Sequence, residues 1–293
     1  MSDDAPASRA AAEGARAMLV SAAAFAGMTA AAKLVGARLP LFEIVFVRAA
    51  LSVLATLVLL RRARVPALGS RRPLLWLRGL FGFAGVSCSF YSVIHLPLAE
   101  ATLLQFTHPL FTVVLAALVL GERIERGVVL GIPLAAAGVL VVVRPAALFG
   151  GESAPLEPFA VSVALAGAFF AADAYVSVRH LARTGEHPLA IVLSFPLVTS
   201  ALALPLMLRE FVWPSAREWL WLLGAGACAQ LGQLSLTRGI QRLPASRATV
   251  FSYTQIVFAA ALGALLFAEQ PDRWTLAGGA LVLGGAWLAG RST

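Results

Sequence analysis

Hydrogen-bonding side chains occur at helical spacing inside two apolar stretches of the chain. Gln105, His108 and Thr112 follow one another at i, i+3 and i+7, so they share one helix face. The second stretch carries a contiguous polar set, and a third carries one further amide: Ser252, Tyr253, Thr254 and Gln255, then Gln230. Such groups orient a polar solute when they line a cavity, and they bridge neighbouring helices when they do not. For the set as a whole we predict a substrate-binding site.

Two titratable residues add candidates for coupling. His108 is followed by Pro109, which lacks a backbone donor and leaves a carbonyl free one turn earlier, so we predict a kink in this helix. An imidazole beside a kink suits a proton-coupled gate, because histidine changes charge near physiological pH. A neutral histidine buried by packing is the alternative. Asp173, within another apolar stretch, is a second candidate for binding a proton or a cation.

Charged side chains gather near the start of the second apolar stretch. Glu43 and Arg48 are five residues apart and point away from each other on a helix. We expect Lys33 to bridge to Glu43, which leaves Arg48 to face a cavity or Glu100. Three roles fit this set: a gate that breaks and reforms, a site that attracts an anionic group, or a static bridge between helix ends. Arg78 is expected to extend to the lipid headgroups.

The composition of the whole chain indicates whether it lies in water or in a membrane. Of its 293 residues, 59% are hydrophobic and 13% are charged, and the mean hydropathy is +0.84. Roughly 25% of the residues of a soluble domain are charged, so the composition excludes one. The apolar content excludes disorder, and the presence of only Cys88 and Cys228 excludes a disulfide framework. We infer that the chain lies in a lipid bilayer.

Membrane-spanning helices account for nearly all of the chain. A helix needs about 20 apolar residues to cross the bilayer. Ten stretches qualify as spans: 17–36, 44–60, 74–94, 98–120, 127–143, 158–178, 188–208, 218–237, 244–268 and 274–290. The polar residues 1–16 are expected to form a disordered tail on the cytoplasmic side. They contain no cleavage pattern, so the first helix is expected to remain as an anchor.

Basic residues predict the side of the membrane that each connector occupies. With a cytoplasmic N terminus, 16 of the 23 Lys and Arg residues fall inside, six fall outside and Arg48 lies within a helix. The positive-inside rule therefore predicts that both termini are cytoplasmic. The net charge of +8 reflects this asymmetry. Nucleic-acid binding is not expected, because no basic face is interleaved with aromatic residues.

The chain repeats itself. Residues 96–141 align without gaps to 243–288 at an offset of 147. Identical polar pairs occur in this alignment: Thr102 with Thr249, Thr107 with Thr254, Glu122 with Glu269, and Arg126 with Arg273. Each repeat holds five helices, and an odd number inserts the second copy upside down. Inverted repeats are typical of alternating-access carriers, whose substrate site lies near the midplane between the repeats.

Long runs within the repeats also carry a family resemblance. They are HLPLAEATLLQFTHPLFTVVLAALVLGERI at 95–124, RLPASRATVFSYTQIVFAAALGALLFAEQP at 242–271, and FEIVFVRAALS at 42–52. With these runs the sequence resembles the EamA branch of the drug/metabolite transporter superfamily, over about residues 17–290. The resemblance implies a ten-helix secondary transporter of amino acids, vitamins such as riboflavin, nucleotide-like metabolites including S-adenosylmethionine, or drugs. We assign Glu122 and Glu269, at equivalent helix ends, a capping role.

The expected protein is an all-α integral membrane protein of the cell inner membrane. Its parts are the first repeat at 17–143, an outer linker at 144–157 and the second repeat at 158–290. We expect a small-molecule substrate and membrane lipid as partners; proton coupling and a homodimer are compatible with the sequence. No ATPase phosphate loop or clustered Cys and His ligands occur, so no cofactor is expected. The alternatives are a channel or another non-transport membrane protein, with an intramembrane enzyme favoured least.

Overall fold

The structure is a computed structural model that describes residues 4–66, 69–121, 126–143, 156–242 and 251–291. Regular secondary structure in these ranges is entirely α-helical. The helices have the following bounds: α1 Asp4–Gly36, α2 Leu41–Ala63, α3 Arg72–His95, α4 Leu98–Gln105, α5 His108–Leu120, α6 Arg126–Val143, α7 Pro158–Arg183, α8 Pro188–Arg209, α9 Ala216–Arg242, α10 Thr254–Phe267 and α11 Arg273–Arg291.

Each predicted span has a helical counterpart in the described ranges, although the ninth span is described only from residue 251. Among the described residues, six helical stretches are long and apolar enough to cross a membrane. Val129–Val143 and Thr254–Phe267 are shorter apolar helices. The protein is therefore an all-helical, multi-pass membrane protein.

The fourth predicted span is interrupted near its centre. α4 ends at Gln105 and α5 begins at His108, with Pro109 in its first turn. Proline cannot donate a hydrogen bond to the preceding turn, which accounts for the interruption and confirms the predicted kink. The ninth span is interrupted at the matching position, because α10 begins only after Tyr253, the repeat equivalent of Phe106.

Helix packing between the two halves of the chain is pairwise symmetric. α1 packs against α9 and α10, whereas its counterpart α7 packs against α3 and against α4 and α5. α2 packs against its counterpart α8, and α6 against its counterpart α11. The repeat in the sequence is therefore also a repeat in the packing.

The crossing of α6 and α11 shows this symmetry at atomic detail. A Cβ atom on Gly138 would lie 2.6 Å from the carbonyl oxygen of Gly278, and one on Gly285 would lie 2.5 Å from that of Gly131. Gly138 and Gly285 are repeat equivalents, as are Gly131 and Gly278. The two close approaches are thus copies of each other, and each requires a residue without a side chain.

Large apolar side chains cover the outside of the bundle. Leu118 and Leu265, which are repeat equivalents, are 77% and 80% exposed. Trp76, Trp213 and Trp287 are exposed near helix ends, as expected of an aromatic belt. A surface of this kind is suited to lipid rather than water.

Two expected segments differ or fall outside the description. α1 begins at Asp4, so residues 4–16 continue the first helix where we expected a disordered tail. Alanine, the strongest helix former, is abundant in this segment. The outer linker at 144–157 and Glu122 lie outside the described residues, apart from 156 and 157.

Candidate functional site

The two helix breaks lie against each other. Phe106 and Tyr253 contact edge to face, with ring centroids 5.5 Å apart. The ring of His108, at the start of α5, lies 6.1 Å from that of Phe106. The breaks therefore bring predicted site residues from both halves of the chain around one aromatic contact.

Unpartnered polar atoms surround this contact. Gln105 Nε2, His108 Nδ1 and Tyr253 Oη are buried without a hydrogen-bond partner in the part of the chain that the structure describes. A buried polar group left unsatisfied costs about 1 to 3 kcal/mol. Such groups call for a water molecule or a ligand to complete them. The three atoms can therefore hydrogen-bond a polar solute.

Helix α7 forms another wall of this site. Tyr175 stacks on His108, with ring centroids 5.2 Å apart and an angle of 15° between the rings. Gly167, further back on α7, lies next to the amide of Gln105, because a Cβ atom there would be 3.0 Å from Gln105 Nε2. Glycine at this position thus lets α7 approach α4 and keeps the amide in place.

Two arginines contact the aromatic ring of Phe195. The guanidinium carbons of Arg48 and Arg78 are 5.5 and 5.2 Å from the ring centroid of Phe195. Arg48 also lies 5.7 Å from the ring centroid of Phe90. The two guanidinium groups therefore share one aromatic contact on α8.

The other predicted substrate contacts are less directly engaged. The hydroxyl of Thr254 donates to the carbonyl of Phe251 at 2.6 Å, within its own chain segment. Ser252 is half-buried and already interacts with another group of the protein. Gln230 and Gln255 are half-buried.

Lys33 forms a clamp at one end of the bundle. It makes an ion pair with Glu269 and donates a hydrogen bond to the carbonyl of Leu96 at 2.6 Å. A second oxygen of Glu269 accepts the backbone N–H of Leu98, at the start of α4, at 2.8 Å. Glu269 therefore caps the start of α4 in the other half of the chain, with Lys33 as an additional partner, whereas the sequence predicted a capping role at its own helix end.

The predicted bridge from Lys33 to Glu43 is wrong. Glu43 is buried and accepts a hydrogen bond from the backbone N–H of Val212 at 3.3 Å, so it secures the connection between α8 and α9 instead. Lys33 is drawn away because Glu269 and the Leu96 carbonyl together satisfy its ammonium group.

The remaining predicted gating residues occupy separate places. Glu100 accepts the hydroxyl hydrogen of Thr275 at 2.8 Å, whereas Arg48 lies on Phe195. Asp173 is half-buried and forms no ion pair with the described residues. Across the described chain, no group of three or more His, Cys, Asp or Glu side chains could hold a metal ion.

Glu186 joins two connectors near the C-terminal end of α2. Its carboxylate accepts the backbone N–H groups of Arg71 at 2.7 Å and of His187 at 3.1 Å. These hydrogen bonds, that from Arg71 above all, hold the pKa of Glu186 below its usual value. The connector between α2 and α3 is thereby attached to the connector between α7 and α8.

Comparison with known proteins identifies the chain's family. The model of the EamA-like transporter family matches residues 13–144 and again residues 158–291. The chain belongs to the EamA-like transporter family. The resemblance seen in its sequence is thereby confirmed, and this EamA protein is a transporter with several membrane-spanning helices.

Relatives of this EamA protein include named transporters of small metabolites. The pseudopaline exporter CntI of Pseudomonas aeruginosa is 39% identical over 260 residues, which cover 88% of this chain and 89% of the relative. The S-adenosylmethionine uptake transporter of Rickettsia prowazekii is 26% identical over 254 residues, covering 86% and 83%. One solved crystal structure matches with a TM-score of 0.64 and 25% identity, covering 94% of this chain and 96% of the other.

Three residues of the site in this EamA protein were not predicted as site residues from the sequence: Arg78, Tyr175 and Phe195. Arg78 was expected to extend to the lipid headgroups, but its Nε and Nη1 atoms are buried. Its guanidinium group lies against the ring of Phe195 instead. The one sequence signal near Phe195 is the following Pro196, a proline inside α8.

Proposed function

We propose that this protein is a secondary transporter of the cell inner membrane that moves a small polar or amphipathic metabolite by alternating access. The substrate binds where the two helix breaks meet, between two inverted repeats of five helices each, with both termini in the cytoplasm. Amino acids, vitamins such as riboflavin and nucleotide-like metabolites are the substrate classes that the family resemblance implies.

The clamp at Glu269 supports the inverted arrangement. Leu98 begins the fourth predicted span and Glu269 follows the end of the ninth, yet the two residues are hydrogen-bonded. The fourth and ninth spans are equivalent in the two repeats. The start of one span meets the end of the other only if the two run in opposite directions, as inverted repeats do.

The cluster at Phe106 and Tyr253 carries the proposal. Gln105, His108 and Tyr253 come from both halves of the chain and leave polar atoms unpartnered among the described residues. Carriers bind their substrates near the midplane at discontinuous helices between repeats. Two interrupted helices with free hydrogen-bonding groups fit that kind of site better than they fit a packing contact, where the groups would bond each other.

Gates at the two ends of the bundle are needed for alternating access. Lys33 and Glu269 hold the end that the charge distribution predicts to be outside. Glu186 joins two connectors that are predicted to be inside. We propose that opening of the outer end separates Lys33 from Glu269. Glu43, Glu100, Arg48 and Asp173 remain proposed gating or coupling residues, and proton exchange at His108 and homodimer formation remain predictions.

Export is the proposed direction of transport. The relative with 39% identity is named as an exporter, whereas the relative named for uptake is 26% identical. Cells that express the protein should therefore release the substrate faster than cells with an empty vector. Faster accumulation inside the cells would contradict this direction.

Counterflow in proteoliposomes tests the proposed function. Purified protein is reconstituted with unlabelled compound inside and labelled compound outside, across amino acids, riboflavin, nucleosides and S-adenosylmethionine. A carrier gives saturable uptake with transient accumulation of the label. Flux that neither saturates nor shows counterflow would indicate a channel, and chemical change of the compound would indicate an enzyme.

A further inference from the structure

Arg48 and Arg78 are cations within the helix bundle that have no anionic partner among the described residues. The ion pairs found in the described part of the chain are Lys33 with Glu269 and Arg38 with Glu218. Neither Arg48 nor Arg78 takes part. Arg48 Nε, Arg78 Nε and Arg78 Nη1 are also buried without a hydrogen-bond partner there.

The groups around these arginines do not neutralise them. Phe195 contacts both guanidinium groups, and Phe90 contacts that of Arg48. Aromatic rings attract a cation through their quadrupole but carry no net charge. The site therefore has two positive charges that remain available to an anion.

An uncompensated charge inside a membrane protein is costly and marks a functional position. Replacement of a buried ionic group by an apolar side chain is frequently neutral or stabilising. Stability alone therefore does not explain why two arginines lie beside one aromatic ring. Like Gln105 Nε2, His108 Nδ1 and Tyr253 Oη, their buried nitrogens lack partners among the described residues, which indicates that a ligand supplies the missing charge.

Guanidinium groups define the chemistry of that ligand. The planar fork of arginine matches carboxylate and phosphate oxygens in pairs. Both guanidinium carbons lie beside the same ring, at 5.5 and 5.2 Å from its centroid. One small solute with two acidic groups can therefore reach both arginines.

We propose that Arg48 and Arg78 bind the acidic groups of the transported solute, and that the substrate is a small molecule with two anionic groups, carboxylate or phosphate. This inference rests on the proposed transport function and names its substrate class. Phe195 contacts both guanidinium groups, and the Gln105, His108 and Tyr253 cluster binds the uncharged part.

Thermal stabilisation of purified protein tests the charge requirement. Glutamate, citrate and 3-phosphoglycerate, each with at least two acidic groups, are compared at equal ionic strength with glycerol, which is uncharged, and glutamine, whose net charge is zero, because a ligand of the folded state raises its Tm. The anions should raise the Tm, and their order separates carboxylate from phosphate as the preferred group. Absence of stabilisation by every anion, or equal stabilisation by the uncharged compounds, would overturn the proposal.

Arginine variants test the assignment to these residues. R48Q and R78Q should each weaken anion binding about tenfold or more, as loss of a charged hydrogen bond does. R62Q, at an exposed position in the last turn of α2, removes the same charge outside the site and should bind anions like the wild type. An unchanged response in R48Q and R78Q would remove both arginines from the site.

The Tm values of the variants without ligand show whether the arginines are needed for folding. R48M and R78M should melt no lower than the wild type, because methionine replaces the apolar stem and removes the buried charge. A clearly lower Tm in both would mean that the arginines are structural, and would overturn the proposal. R48K and R78K keep the charge without the fork, and should bind anions more weakly than the wild type but better than the glutamine variants.

The inference and the proposed function can fail separately. Saturable counterflow of an uncharged compound that is unaffected by R48Q and R78Q would keep the transporter and overturn the anion site. Arginine-dependent binding of an anion without any flux would keep the site and contradict transport.

Discussion

Phe106 and Tyr253 occupy the same position in the two repeats and contact each other edge to face, with centroids 5.5 Å apart. Residues related by a two-fold axis contact each other only close to that axis. In the proposed inverted arrangement, the contact therefore lies close to the axis that relates the two repeats. Both residues stand at helix interruptions.

Substitution of Tyr253 by phenylalanine tests the role of the hydroxyl group independently of the ring. Tyr253→Phe keeps the contact with Phe106 and removes the unpartnered Oη atom. If that hydroxyl binds substrate, KM should rise about two- to tenfold while expression and Tm are unchanged. Tyr91→Phe, at a ring stacked on His95 away from the site, is the control for flux measurements. Equal KM values in the two variants would remove the Tyr253 hydroxyl from the site.

The clamp between Lys33 and Glu269 should contribute measurably to stability. The side chain of Lys33 is 12% exposed and that of Glu269 is 21% exposed, whereas Arg38 in the other ion pair is 50% exposed. Lys33→Gln and Glu269→Gln should therefore each lower the Tm by more than Arg38→Gln does.

The double variant of Lys33 and Glu269 checks that the two residues act together. Its loss of stability should be smaller than the sum of the two single losses, because each single change leaves a partner unpaired. Additive losses, or an equal effect of Arg38→Gln, would show that the clamp is not a unit.

Glycine at 167 is needed to position Gln105. A Cβ atom at Gly167 would lie 2.9 Å from Cys88 Cβ and 3.0 Å from Gln105 Nε2, whereas one at Gly224 would meet nothing within 4 Å. Gly167→Ala should lower the transport rate, and Gly224→Ala should not. Wild-type flux in Gly167→Ala, measured at matched protein amounts, would contradict the proposed close approach of α7 to Gln105.

Glu186 predicts a pH dependence of stability. Its backbone hydrogen bonds lower the pKa of the folded state below that of the unfolded chain. The carboxylate therefore stabilises the folded protein above the unfolded value of about 4.3, and this contribution disappears as the pH falls through the lower, folded value. The Tm difference between wild type and Glu186→Gln should be present at neutral pH and should shrink in acid. A difference that does not change with pH would exclude this role.

Sequence information predicts the parts of this structure that depend on local or repeated patterns. The break in the fourth span follows from Pro109, which lies within it. The break at Tyr253 was not predicted, because Ile256 occupies the position equivalent to Pro109.

Contacts between distant helices are the parts that could not be predicted. Lys33 and Glu269 are 236 residues apart. Glu43 is much nearer to Lys33 in the sequence, so the sequence favours Glu43 as its partner. Arg78 is near a helix end, where arginine ordinarily extends to the headgroups. Its place beside Phe195 depends on the packing of α3 against α8, which neither helix encodes alone.

Accessibility of residue 105 from the two sides of the membrane tests the central claim most directly. Gln105→Cys is made in a protein whose Cys88 and Cys228 are replaced by alanine, and an impermeant maleimide is added to right-side-out or inside-out vesicles. Leu104→Cys, next to it in the core and 1% exposed, is the control. Alternating access predicts labelling of residue 105 from both sides and none of residue 104. Labelling of residue 105 from neither side, or from one side under every condition, would contradict a central site between the repeats.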